Sequence, residues 1–276
     1  MTRTLAILGK GGVGKTFVAA HVAMSLGYMG LKTLLVGCDQ KRDTLRALSA
    51  EERTPLIHAL DAVGYAYDEL ALADLTAPVS EYVDVMELGP SPLLVGHYGN
   101  VLDEAFHTFD LHQLWENYSH VVFDLGEERY DAGSAPLFRR VEQAIAVTDD
   151  AVESLFVLNR LLRAALIGAN EYQTRLRLLG VVNNRSREPV AFQRYVKRTR
   201  LFPLLTVPDL PELARLRPFH RTLLTLEREP PHLKPVVDGF IRIADMLRVQ
   251  PMVLNPVTPL PDEEIWKLAP LVALPN

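Results

Sequence analysis

Cysteine is nearly absent: the 276 residues hold one, Cys38. A single thiol forms no internal disulfide and no zinc knuckle. Even a symmetric pair of chains would bring only two thiolates together, short of the four that usually hold an iron–sulfur cluster. Long hydrophobic runs are lacking as well, and no apolar stretch reaches the ~18–20 residues of a membrane span. The opening MTRTLAILGK has no signal-peptide layout, because its short apolar stretch runs straight into a glycine loop. A cytoplasmic location is the expectation. No internal repeat is visible.

Basic charge is scarce in one region and acidic charge in another. Residues 51–110 carry twelve Asp and Glu against Arg53 alone, a net −11, whereas residues 185–221 carry nine Arg and Lys against three acids, a net +6. Opposite-signed regions of this kind steer partners or favour self-association, or else are two solvated faces.

What the chain does have is an alternation of apolar runs and helical stretches. Strands are expected at 4–8, 33–36, 83–88, 120–124, 143–148, 178–183 and 204–207, with helices over 16–29 and 150–170. Continuous apolar character suits strands covered on both faces of a parallel sheet. The expected fold is therefore α/β, a doubly wound and mostly parallel sheet over residues 1–248. In residues 249–276, Pro251, Pro256, Pro259, Pro261, Pro270 and Pro275 argue against a regular helix, so a Pro-rich tail is expected as an extended arm or a disordered end.

Residues 9–16 read GKGGVGKT and satisfy G-x-x-x-x-G-K-[ST]. Glycines let successive backbone N–H groups close around phosphate oxygens; here Gly9, Gly11, Gly12 and Gly14, with Lys10 and Val13, would form that cradle. Lys15 should reach the outer phosphates and the Thr16 hydroxyl a Mg²⁺ ion, while Phe17 opens the helix whose positive end faces the phosphates. A chain of this length meets the pattern by accident about once in a hundred, and here it also lies between an expected strand and an expected helix. The same glycines fit G-x-G-x-x-G, with Asp39 ending the next strand, but a dinucleotide fingerprint has no role for Lys15 and Thr16. The triphosphate reading is preferred.

With Lys10 included, the loop resembles the deviant phosphate loop of the ParA, MinD, ArsA and nitrogenase iron-protein superfamily. That resemblance implies a homodimer in which Lys10 crosses the interface to the partner's nucleotide. Gly37–Thr44, GCDQKRDT, resembles the G-C-D-P-K-x-D-[ST] switch of nitrogenase iron protein and of the iron-protein subunits of dark-operative protochlorophyllide and chlorophyllide reductases, with Gln40 in place of Pro. It implies that Asp39 orients the attacking water and that Asp43 serves Mg²⁺. His120–Glu127, HVVFDLGE, resembles the second switch: Asp124 would hold Mg²⁺ through water, and Glu127 stands where the family has a second Asp, with one residue fewer between Asp124 and Leu125. Ser154–Asn159 is similar to the helix after that switch. Asn183 or Asn184, with Asn184 the better register, falls where the family contacts adenine, and Val207-Pro208-Asp209 resembles a later segment beside the base. The resemblance spans about residues 3–248.

The family's two cluster cysteines are replaced, His97 standing for the first and Tyr130 or Asp131 for the second. The resemblance thus implies ATP and Mg²⁺ as ligands without a 4Fe-4S cluster. The expected function is a dimeric ATP-driven switch, an ATPase but not an oxidoreductase, with a regulatory, assembly or maturation role toward a protein partner such as a nitrogenase-like reductase component. Alternatives are a ParA- or MinD-like positioning ATPase, whose basic residues Arg194, Lys197, Arg198 and Arg200 would touch nucleic-acid phosphates, and a nucleotide-binding module with little turnover. The acidic, Pro-broken end lacks the basic amphipathic helix of a membrane-binding version.

Overall fold

The computed structural model describes residues 2–39, 41–89, 98–126, 140–171, 176–226, 230–249 and 257–269. The apolar runs become neighbours in one eight-stranded sheet: β1 (Arg3–Gly9), β2 (Thr33–Gly37), β3 (Thr76–Ser80), β4 (Val83–Glu87), β5 (His120–Asp124), β6 (Gln143–Thr148), β7 (Arg177–Ser186) and β8 (Pro203–Pro208). Their order is β3-β4-β2-β5-β1-β6-β7-β8. All neighbouring pairs are parallel except β3 with β4. Parallel strands share one direction, so the carboxyl ends of seven strands reach the same edge. That edge is where open α/β sheets bind ligands.

Side chains alternate across the sheet as strand geometry requires. Leu5 and Ile7 face a core completed by the helix Lys15–Tyr28 and the helix Lys234–Arg248. Ala6 and Leu8 face the opposite side, where the helices Leu56–Ala62 and Tyr98–Leu111 cover the sheet. Each fully buried Leu, Ile or Val contributes roughly 1.5–3 kcal/mol. This double cover makes the strand ends rigid supports for the loops that follow them.

The seven expected strands lie within one to three residues of the observed ones. The edge strand β3 was not expected: its TAPVS is short, contains Pro78, and pairs antiparallel with a register shift. Proline is tolerated there because an edge strand has one unpaired side.

The tail differs from the expected extended arm. Residues 257–269 pack on the helices Val152–Glu171 and Val190–Thr199, and Asp262–Trp266 is itself a short helix, its start set by Pro261. Leu260, Ile265 and Leu268 are buried. The fully buried amide of Asn159 donates to the Leu260 carbonyl (2.8 Å) and accepts from the Leu260 N–H (2.8 Å). The Thr258 N–H donates to Thr199 (2.9 Å), and Trp266 stacks on Phe156 with ring centroids 5.5 Å apart. This contact occupies part of the basic segment: Arg198 pairs with Glu264 at 2.7 Å, and Arg194 donates to the Leu268 carbonyl at 3.1 Å. Exposed ion pairs of this sort contribute little, because water and salt screen them. The apolar residues and Asn159 therefore carry the anchoring.

Asn159→Ala should lower stability by about 3 kcal/mol in urea denaturation, because two buried backbone groups lose their partners. A loss below about 0.5 kcal/mol would contradict this account of the tail.

Candidate nucleotide-binding site

β1 stops at Gly9, and the loop 10–14 leads directly into the helix Lys15–Tyr28. Gly14 turns the chain with a φ of 92°, and a Cβ there would lie 2.2 Å from the Asn184 amide nitrogen. Only glycine combines that backbone with that neighbour. The helix start has no side-chain cap and no acidic residue in its first turn. Its first N–H groups, and the positive end of its dipole, are left for an anion. Lys15 is buried and donates across the loop to the Lys10 carbonyl at 3.2 Å.

A cavity of about 500 Å³ opens over this loop. It brings together Gly12, Gly14, Lys15, Thr16 and Phe17 with Asp39 and Asp43 after β2, Asn184 on β7, Pro208 at the end of β8 and Asp209 after it. That volume is within the range of small-molecule and nucleotide pockets.

Behind Lys15 and Thr16, buried carboxylates gather at the ends of β4 and β5. Asp124 is 1% exposed and accepts from the Thr44 hydroxyl at 2.8 Å, while its other oxygen has no hydrogen-bond partner. Burial pushes its pKa up to about 6, against the opposing effects of the Thr16 and Thr44 hydroxyls and the Lys15 charge. Glu87 is equally buried; one oxygen accepts the Leu45 N–H at 2.7 Å and the other is unpartnered. Burial, joined by the like charges of Asp124 and Asp43, pushes it up to about 7. At Gly37 a Cβ would lie 2.1 Å from that unpartnered Glu87 oxygen, so a side chain there would displace the carboxylate. The segments that follow β2 and β5 also touch: the Cys38 N–H donates to the Asp124 carbonyl (3.0 Å), and Gly126 lies against Asp39, where an added Cβ would sit 3.3 Å from its Cα.

On the other side of the cavity, Asn184 donates to the Val13 carbonyl at 2.8 Å and so touches the phosphate loop. His21, 1% exposed, is stacked between Phe17 and Phe240 with centroids at 4.1 and 4.8 Å. Its Nε2 accepts the Leu223 N–H (3.0 Å), which leaves Nδ1 to donate to the Phe17 carbonyl (2.8 Å). The bond accepted at Nε2 needs the neutral ring, and burial lowers the pKa of the imidazole to about 4.

Gly9, Gly11 and Val13 shape the loop, with the Val13 side chain turned into the core. Lys10 belongs to the loop but does not line the cavity. Asp124 stands behind the cavity's lining. Glu127, His97, Tyr130 and Asp131 lie outside the described residues. Sequence reasoning missed Glu87, His21, Lys41, Arg185 and Arg221. Glu87 was legible in principle, as a carboxylate ending an apolar strand, the same pattern that singled out Asp124.

Residues 3–272 match the model of the family described as 4Fe-4S iron sulfur cluster binding proteins, NifH/frxC family. The chain belongs to this family. The light-independent protochlorophyllide reductase iron-sulfur ATP-binding protein of Halorhodospira halophila is 30% identical over 266 residues, covering 96% of this chain and 87% of that one. Its counterpart in Cereibacter sphaeroides is 28% identical over 268 residues, covering 96% and 88%. Among solved structures, septum site-determining MinD with Mg-ADP from Pyrococcus horikoshii has a TM-score of 0.65 at 20% identity, covering 90% of this chain and 96% of that one. A ParA family ATPase from Chlorobium tepidum has a TM-score of 0.69 at 17% identity, covering 88% and 98%. These likenesses show that the fold is the phosphate-loop α/β fold of MinD and ParA. Among the described residues no helix is long and apolar enough to cross a membrane.

The raised pKa of Glu87 sets the sign of a pH effect. The folded state binds its proton more tightly than the unfolded chain, so this contribution is full below about pH 4.5 and is lost as pH rises through about 7. Glu87→Gln should abolish that loss, on the order of 3 kcal/mol in the nucleotide-free protein, in urea titrations between pH 5 and pH 8. An unchanged pH slope would contradict the assignment.

Proposed function

We propose that this protein is an ATP-driven dimeric switch that acts on a protein partner without carrying a 4Fe-4S cluster. The observation that supports it most is the union, in one cavity, of the phosphate loop, the uncapped helix start and the two switch aspartates, backed by buried carboxylates.

The residues present fit a hard divalent cation. Asp124 offers a buried oxygen without a partner, with Thr16 and Asp43 nearby in the site. Among the described residues no three His, Cys, Asp or Glu side chains are disposed to hold a metal by themselves. A magnesium ion, which keeps waters and takes few protein ligands, would complete its shell with phosphate oxygens. Mg²⁺ and ATP together supply the transferable phosphoryl group and the charge that Thr16, Asp43 and Asp124 would hold. Lys15 neutralises the outer phosphates. Asp39, turned at the end of β2, orients water for attack, and Glu127 assists it as the second carboxylate. Asn184, Pro208, Asp209 and Phe17 hold the base. Lys10, free of the cavity on its own chain, contacts the nucleotide of the second copy, so that phosphate state sets dimer geometry.

The residues present do not fit the cluster named in the family's description. Cys38, one residue past β2, is 3% exposed and its thiol donates to the Val36 carbonyl. With one cysteine per chain, the ATP machinery is retained and the electron carrier is not, which favours a regulatory, assembly or maturation role. The relatives' printed names make a reductase component related to theirs the natural partner class.

Particle mass in solution tests the switch. The wild type should be a monomer with ADP and a dimer with a non-hydrolysable ATP analogue, and Lys10→Ala should remain a monomer with both. Anaerobically prepared protein should carry no stoichiometric iron and no visible absorbance. A mass that is the same in every nucleotide state would contradict the switch, and bound iron–sulfur chromophore would contradict the loss of the cluster.

A further inference from the structure

We propose that Arg185 is a further binding residue for the outer phosphates of the nucleotide, held in place by the two aspartates that follow β6. The inference rests on the nucleotide reading of the cavity and adds to it a cation that the phosphate-loop motif does not contain.

Asp150 anchors the neighbouring strand ends. Its carboxylate accepts the Asn183 amide at 2.7 Å, the Ser186 hydroxyl at 3.0 Å, and the N–H groups of Arg187 and Glu188 at 2.7 and 2.8 Å. Four donors within six residues converge on one acid, which ties the end of β7 to the end of β6. Charge-assisted bonds of this kind are the strong ones. Within the tied segment the pairing of β7 with β8 shifts register between Asn183 and Ser186. A bulge re-aims the side chains it carries. At its centre Arg185 has a φ of 54°. That left-handed conformation is uncommon for a residue other than glycine, asparagine or aspartate, and it persists only where the surroundings enforce it.

The consequence is a guanidinium pointed back at the phosphate loop. Arg185 donates to the Gly12 carbonyl, lines the cavity, and lies 3.8 Å from Asp149. Half of its side chain is exposed. Gly12 is three residues before Lys15, on the part of the loop remote from the helix start, so the guanidinium addresses the outer phosphates rather than the α-phosphate. A neutral carbonyl is a weak partner for a planar cation that matches phosphate oxygens bidentately. Exchanging that carbonyl for a phosphate requires only rotation of the side chain, since the backbone is already set. Asp150 acts through Arg185 as a positioning residue.

Calorimetric titration with ATP, ADP and AMP in the presence of Mg²⁺ tests this. Arg185→Ala should weaken ATP about tenfold, equivalent to about 1.4 kcal/mol, and AMP by less than about threefold. Arg185→Lys should recover part of the loss, and Asp150→Asn should reproduce the same dependence on phosphate number. Thermal unfolding of the nucleotide-free proteins runs alongside, and Arg185→Gln replaces the alanine variant if that variant does not fold. Equal losses for ATP, ADP and AMP, or no loss for ATP, would overturn the inference alone. A wild type that binds none of the three would overturn it together with the functional reading above.

Discussion

Buried negative charge at the ends of adjacent parallel strands is the constraint on which the rest of this structure depends. Asp124 and Glu87 end β5 and β4, flank the end of β2 between them, and are both almost without solvent. Burying carboxylates so close together is unfavourable unless cations or hydrogen bonds offset it. The protein offsets it in part, with the Thr44 hydroxyl, the Leu45 N–H and the nearby Lys15 charge. What remains is a demand for positive charge at one place, in front of a loop that demands negative charge. The proposed magnesium–nucleotide complex would answer both demands at once.

The same carboxylates explain how a change at the phosphates would travel. Thr44 and Leu45 open the short helix Thr44–Leu48, directly after Asp43. Their bonds to Asp124 and Glu87 tie the position of the segment after β2 to the acid cluster. The segment after β5 joins through the Cys38 bond to the Asp124 carbonyl and the contact of Gly126 with Asp39. Both segments thus meet at one electrostatic centre, as the proposed two-state switch requires. On the far side, the Leu223 N–H bond to His21 fixes the Leu223 segment to the first helix without any charge, leaving the contact indifferent to pH near neutrality.

Much of this was legible in the sequence where a residue's role follows from local pattern. Apolar runs ending in Asp39 and Asp124, and GKGGVGKT between a strand and a helix, are local signals that place their own chemistry. Glu87 ends an apolar strand as Asp124 does and was overlooked, whereas Arg185 was not singled out because its place comes from tertiary neighbours, Asp150 and Gly12. The proline-rich tail misled for the same reason. Proline counts exclude a long helix but say nothing of Asn159, a hundred residues upstream, whose amide waits for the Leu260 backbone. β3 escaped notice because an edge strand can be short, polar and proline-bearing.

Thermal unfolding at pH 7.5 tests the central claim most directly, comparing the protein alone, with Mg²⁺, with ATP in chelator, and with both ligands. If the buried carboxylates and the phosphate loop are halves of one site, Mg²⁺ and ATP together should stabilise the fold far more than the sum of their separate effects, by about 2.7 kcal/mol at a hundredfold excess over the dissociation constant. The coupled gain should vanish in Asp124→Asn. Stabilisation by ATP that is the same with chelator as with Mg²⁺ would contradict the account, because the acid cluster would then have no part in holding the nucleotide.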